Sequence, residues 1–148
     1  MGFSTRKMTR ADWDKIKHFK PKLYGGTDNF PDPLKMGYEF MLWLDALREE
    51  AGVPMTVTSS YRSPAYNKSI GGASDSAHTD IPCNSIDIGM RPRADDPNWN
   101  LSRYEIVMAA QRLGCRRFGT YQNGSLHLDR SEDQRPAPRM WLVVAGHP

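Results

Sequence analysis

The sequence predicts an α+β protein with a small, mainly antiparallel sheet flanked by helices. Three observations carry that expectation. Apolar residues recur at helical spacing through 34–51, two short segments at 84–90 and 126–129 alternate with period two, and helices come first, with strands interspersed among later helices. The 148 residues are read as one domain, since Pro and Gly fall at element boundaries and no repeat or low-complexity tract marks a linker. A chain of this size buries roughly 68–70% of its unfolded surface and needs no disulfides to fold.

The first element is a short helix over 11–19, where Trp13, Ile16 and Phe19 stand at three-residue spacing before Pro21 and Gly25-Gly26 end it. Residues 22–33, rich in Gly, Asp, Asn and Pro, read as a loop. From Leu34 to Ala51 the stripe Met36, Phe40, Met41, Leu44, Leu47 makes the strongest helix, with Gly52 to end it. Met55 to Ser59 is β-branched and follows Pro54, so it reads as a strand leading into Tyr61-Arg62. Pro64 fits the first turn of a helix over 64–69, before Gly71-Gly72.

Asn84 to Met90 reads as a strand whose polar face carries Asp87 between Ile86 and Ile88. A proline-rich loop at 92–97 and a helix over 101–113 follow, the latter with Leu101, Ile106, Val107, Ala110 and Leu113 as its stripe and Gly114 as its stop. Leu126 to Asp129 and Met140 to Ala145 are the remaining strands.

Composition excludes several function classes. A hydrophobic fraction of 39% and a charged fraction of 25% are ordinary for a globular protein, and no apolar run approaches the ~20 residues of a membrane span. The basic start, Met1 to Lys7, runs into Arg10, Asp12, Asp14 and Lys15 where an export signal needs an apolar core, so none is expected. Cys83 and Cys115 form no CxxC pair. A cysteine-rich metal site is therefore excluded, and one disulfide between them is the less favoured alternative to two free thiols. The net charge of +3 favours an anionic partner such as a cell-wall polymer. Specific nucleic-acid binding is not expected, because the basic residues are dispersed and the densest group, Arg112, Arg116 and Arg117, reads as a solvated face.

The chemistry concentrates in His78, Asp87 and His127. Two imidazoles and a carboxylate leave a fourth position for water, which is the pattern of a hydrolytic rather than a structural zinc site. In a strand, residues two apart share a face, so His127 and Asp129 point one way while Leu126 and Leu128 point to the core. The same alternation sets Asp87 against Ile86 and Ile88. If the two strands pair, Asp87 and His127 converge, and His78 enters from the preceding loop. His18 and His147 lack such a context and read as surface residues.

The ordered set Leu44-Asp45-Ala46-Leu47-Arg48, Val57 to Ser63 with Tyr61-Arg62, Asn67, Gly71-Gly72, Ser76-Ala77-His78, Ile86-Asp87-Ile88, Tyr121 and Leu126 to Asp129 resembles the M15 peptidases. His18-Phe19 is similar to that family's opening motif. The family includes D-alanyl-D-alanine carboxypeptidases and phage endolysins that cut peptidoglycan stem peptides. The resemblance implies the hedgehog/D,D-peptidase-like fold and a zinc ion held by His78, Asp87 and His127. It implies that Arg62 binds substrate and steadies the oxyanion, with Ser76 and Tyr121 as substrate contacts, Ser76 alternatively acting behind the ligands.

Two departures from the family pattern shape the expectations. Eight residues separate His78 from Asp87, two more than is usual, which a loop tolerates cheaply and which makes Asp80 a rival ligand. Gly124 and Ser125 occupy the positions where many relatives carry the general base. Asp129 is then the expected catalytic carboxylate, its alternative role being to orient an imidazole. Cys83 reads as a buried loop residue rather than a nucleophile.

The expected function is zinc-dependent hydrolysis of an amide bond in a peptidoglycan stem peptide, as endopeptidase or carboxypeptidase. The resemblance and the missing export signal imply a phage-type lysin, held in the host cytoplasm until holin release, or a virion-associated component acting on the cell wall. The alternative is a catalytically inactive M15-like binding or virion protein.

Overall fold

A computed structural model of the chain describes residues 2–90 and 97–143. Its elements are α1 (Arg10–Trp13), α2 (Tyr38–Ala51), β1 (Val57–Ser59), α3 (Pro64–Ser69), β2 (Ser85–Ile88), α4 (Trp99–Arg112), β3 (Arg117–Tyr121), β4 (Leu126–Asp129) and β5 (Arg139–Val143). The strands form one sheet in the order β1-β2-β4-β3-β5, and each neighbouring pair is antiparallel except β3 with β5. This is the α+β architecture the sequence predicts. Among the described residues, no helix is long and apolar enough to cross a membrane. The loop expected at 92–97 lies, apart from Pro97, outside the described residues, as do His147 and the end of the last expected strand.

Helix α1 is one turn long rather than the span 11–19. A reciprocal cap between Thr9 and Asp12 starts it. It stops because the N–H groups of Lys17 and His18 donate to the Asp45 carboxylate on α2, at 3.0 and 2.9 Å, instead of to a helix carbonyl. The apolar spacing still reports burial, since Trp13, Ile16 and Phe19 all reach the core. The expected loop 22–33 folds around Asp28, whose buried carboxylate accepts from the backbone N–H of Lys20 and Val57. Pro33–Lys35 forms a separate 3-10 turn, so α2 begins at Tyr38 and ends at Gly52 with φ +66°.

Helices α2 and α4 pack on each other and share one apolar core with the sheet. Phe40, Met41, Leu44 and Leu47 of α2 and Ile106, Ala109 and Ala110 of α4 meet Ile86, Ile88, Phe118, Leu126 and Leu128. The Trp43 indole ties the pair by donating to the Leu113 carbonyl at 2.8 Å. Leu101, expected on the buried stripe, is exposed instead.

Alternation sends the polar residues of the strands to the opposite face, and the register sorts them into a row. Ser59 lies opposite Asp87, Asp87 opposite His127, His127 opposite Gly119 and Gly119 opposite Trp141. Strand β3, which no apolar periodicity predicts, supplies the gap in this row. A Cβ on Gly119 would stand 2.6 Å from the Trp141 indole nitrogen and 3.1 Å from the His127 Cβ. The missing side chain lets the indole lie 5.3 Å from the His127 ring, centroid to centroid. Gly119→Ala is accordingly expected to push Trp141 aside and cost about 1–3 kcal/mol, the usual range for overpacking, read as a lowered urea midpoint with an unchanged slope.

Candidate metal centre

Two strands and one loop bring the three ligand candidates together. Asp87 and His127 face each other across the β2/β4 pairing. His78 arrives on a 3-10 turn, Ala77–Thr79, that the Ser76 hydroxyl caps by accepting the His78 N–H at 3.2 Å. One ligand atom from each of the three lies within 4.8 Å of the other two, and all three residues are buried. The longer loop before Asp87 is held down by Cys83, whose N–H donates to Lys35 O and whose carbonyl accepts from Gly37 N.

Hydrogen bonding sets the imidazole tautomers. His78 Nδ1–H donates to the Ser60 carbonyl at 2.8 Å, and His127 Nε2–H donates to Asp129 Oδ2 at 2.7 Å. The remaining nitrogens, His78 Nε2 and His127 Nδ1, both face Asp87 Oδ1, at 3.1 and 3.0 Å. Neutral imidazoles so arranged turn lone pairs at a carboxylate, which is repulsive unless positive charge lies among the three atoms. Ligands at about 2.0–2.1 Å from a tetrahedral ion stand about 3.3 Å apart, so the two nitrogen-to-carboxylate separations suit a divalent cation, and the two imidazole nitrogens, within 4.8 Å of each other, would close around it. The three residues can therefore hold a metal ion.

The surrounding charges are tuned to the same end. Burial lowers the His78 pKa, which favours the neutral, ligating imidazole. Burial works in the same direction on His127, but its hydrogen bonds to Asp129 and Asp87 outweigh it and raise the pKa to about 9. In the metal-free protein a proton on His127 thus supplies positive charge at neutral pH. Burial opposes charge on Asp87 and Asp129, yet the imidazoles beside them hold both carboxyls well below the usual carboxylate range.

Asp129 sits behind His127 with no exposed surface. Its Oδ2 takes the imidazole N–H, while Oδ1 accepts from Arg117 Nε at 2.7 Å and from the Ser131 hydroxyl and N–H at 2.6 and 3.0 Å. This is the geometry of an orienting acceptor, with both oxygens engaged. Arg62 stands on the open side of Asp87, its Nη2 3.5 Å from Oδ2. Asn67 of α3, at 3.0 Å from Nη1, helps to fix the guanidinium. Arg62, Asp87 and Tyr121 line a cleft of about 620 Å³ that also takes in Ser59 and Ser125. The Tyr121 hydroxyl is buried there beside Asp87 and Arg62. Burial and the nearby Asp87 charge push its pKa up, so it is a neutral phenol able to donate. Ser76 lies outside the cleft lining.

Asp80, the rival ligand, is turned away from the site: Arg135 grips its carboxylate at 2.6 and 3.0 Å. Cys83 and Cys115 are free and buried, and burial raises both thiols. The reading of Arg112, Arg116 and Arg117 as one solvated face is corrected at Arg117. That side chain is 10% exposed and clamps Asp129, because β3 points residues 117, 119 and 121 to the polar face. The alternation Arg117, Gly119, Tyr121 against Phe118 and Thr120 was the available signal. Arg117→Met should cost about 3–5 kcal/mol by stranding a buried carboxylate. Arg112→Met, at an exposed pair with Glu50, should cost under about 1 kcal/mol. Paired denaturant titrations check the contrast.

The family model for peptidase M15 matches residues 14–129, which include Arg62, Tyr121 and the whole His78, Asp87, His127 cluster. Comparison with curated proteins yields no match. With most of its length matched and a metal-binding geometry inside the matched span, the chain belongs to the peptidase M15 family of metallopeptidases.

Proposed function

We propose that the protein is a zinc peptidase that hydrolyses an amide bond in the stem peptide of peptidoglycan. The observation that carries the reading is the convergence of His78 Nε2 and His127 Nδ1 on Asp87 Oδ1, with Asp87 lining a peptide-sized cleft and the two buried histidines behind it. When bound by these three residues, zinc supplies the Lewis acidity that makes water nucleophilic near neutral pH and polarises a carbonyl.

The chain's own residues do the rest. Arg62, fixed on the cleft side of Asp87, donates to the carbonyl oxygen as negative charge develops on it. The neutral Tyr121 phenol, which lines the cleft beside Asp87, donates to the substrate backbone. Ser76 is assigned to seating His78 through the turn it caps, and Asp129 to holding the His127 imidazole in its ligating tautomer. The cell-wall substrate and a role as phage-type lysin or virion-borne enzyme follow from the resemblance to endolysins, and a net charge of +3 suits an anionic wall polymer.

One observation favours a second reading, an M15 protein that binds stem peptides without cutting them. Gly124 and Ser125 stand where relatives carry a base, and both Asp129 oxygens are engaged. Incubation with purified peptidoglycan, followed by mass spectrometry of released fragments, separates the two. Cleavage that a chelator abolishes, zinc restores and His127→Ala lacks is the expected result. Folded, zinc-loaded protein that binds stem peptides from several wall types and releases nothing supports the second reading. Arg62→Met is expected to lower kcat by about 10²–10³ while leaving zinc stoichiometry intact, and an unchanged kcat would remove Arg62 from the oxyanion role.

A further inference from the structure

One wall of the cleft carries a carboxylate with no structural work to do. Asp32 lies in Pro31-Asp32-Pro33, and Asp32 lines the same cleft as Arg62 and Asp87. An aspartate just before a 3-10 turn ordinarily caps it, as Ser76 does for the turn bearing His78. Asp32 precedes the turn Pro33–Lys35 yet makes no such cap. Among the described residues its carboxylate also enters no ion pair, whereas the other two charged residues of the lining, Arg62 and Asp87, face each other at 3.5 Å. The nearest cationic side chain in sequence, Lys35, rests over the Tyr61 ring at 5.1 Å.

The segment holding Asp32 is stiff. Asn29 is pinned to β1 through its N–H to Val57 O and its Nδ2 to Thr58 O, at 3.0 and 2.8 Å. Phe30 is buried, and the Pro33 carbonyl accepts the Trp13 indole at 3.0 Å. Prolines on both sides restrict the backbone further. A charge held out on a pre-set arm loses little entropy when it meets a partner. Arg62, which lines the cleft beside Asp87, attracts carbonyl and carboxylate oxygens, and the Asp32 wall attracts the opposite charge.

We propose that Asp32 is a specificity residue of the cleft, receiving a primary ammonium of the bound peptide, namely the side-chain amine of a stem's diamino acid. This rests on the peptide-binding reading of the cleft. An exposed carboxylate and ammonium contribute up to about 1 kcal/mol, or about fivefold in affinity.

The test uses zinc-loaded protein and synthetic stem peptides carrying lysine, norleucine, Nζ-acetyl-lysine or an acetylated N-terminus. Binding is read from NMR shift titrations, and mass spectrometry of the same samples reads hydrolysis. The expected result is an about fivefold preference for lysine over norleucine that Nζ-acetylation abolishes and Asp32→Asn reduces to parity, with norleucine binding unchanged. A preference lost only on N-terminal acetylation would overturn the side-chain assignment in favour of the α-amine. Equal preference in wild type and Asp32→Asn would overturn the role of Asp32 altogether, whether or not cleavage occurs. Cleavage absent from every sample, with the Asp32-dependent preference intact, would sink the peptidase reading and leave this one standing.

Discussion

The antiparallel pairing of β2 with β4, which sets Asp87 against His127, is the constraint on which the rest of the molecule depends. That register is chosen by the other face of the sheet. Ile86, Ile88, Leu126 and Leu128 are fully buried beneath α2 and α4, and a slip of one residue would turn all four outward. The apolar core therefore aligns the polar residues opposite it. Strength of hydrophobic packing becomes accuracy of ligand placement, with no separate interaction needed to bring the carboxylate to the imidazole.

Burying so much charge is tolerable because Asp87 and Asp129, the buried carboxylates of that face, are both partnered. Asp87 meets two imidazoles and Arg62, and Asp129 meets His127, Arg117 and Ser131. The loop ligand is secured in the same manner. Arg135, its side chain 8% exposed, joins Asp80 and Asp75 to the segment after β4, so the turn carrying His78 is strapped to the chain that leaves Asp129. A histidine from a loop is thereby held almost as firmly as one from a strand, as a pre-set coordination site requires.

Much of this was legible in the sequence. The ranges of α3 and β4 agree with their expected bounds, because Pro64 with Ser63 and the alternation at 126–129 are strong local signals. The convergence of His78, Asp87 and His127 followed from the same alternation together with motif order. What escaped depends on partners distant in sequence. The shortening of α1 is caused by Asp45, 28 residues beyond Lys17. Strand β3 offers one large apolar residue on its core face, Phe118, and a glycine on the other, so periodicity gave it little voice. Arg117 looks like its neighbours Arg112 and Arg116 until strand geometry turns it inward. The role of Asp129 likewise turns on Arg117, 12 residues before it, which with the neighbouring Ser131 occupies one of its oxygens.

The gap at Gly119 has an optical consequence. Of the tryptophans, Trp13 and Trp43 have their indole N–H groups tied to the carbonyls of Pro33 and Leu113. Trp141 instead lies against His127, with the Arg117 guanidinium 5.0 Å from its ring. Its emission and its indole proton resonance are thus placed to register a change of charge on that imidazole, and the two tied indoles provide internal references. The molecule carries its own reporter of whether the His127 nitrogen holds a proton or a metal, installed by the absence of a single side chain.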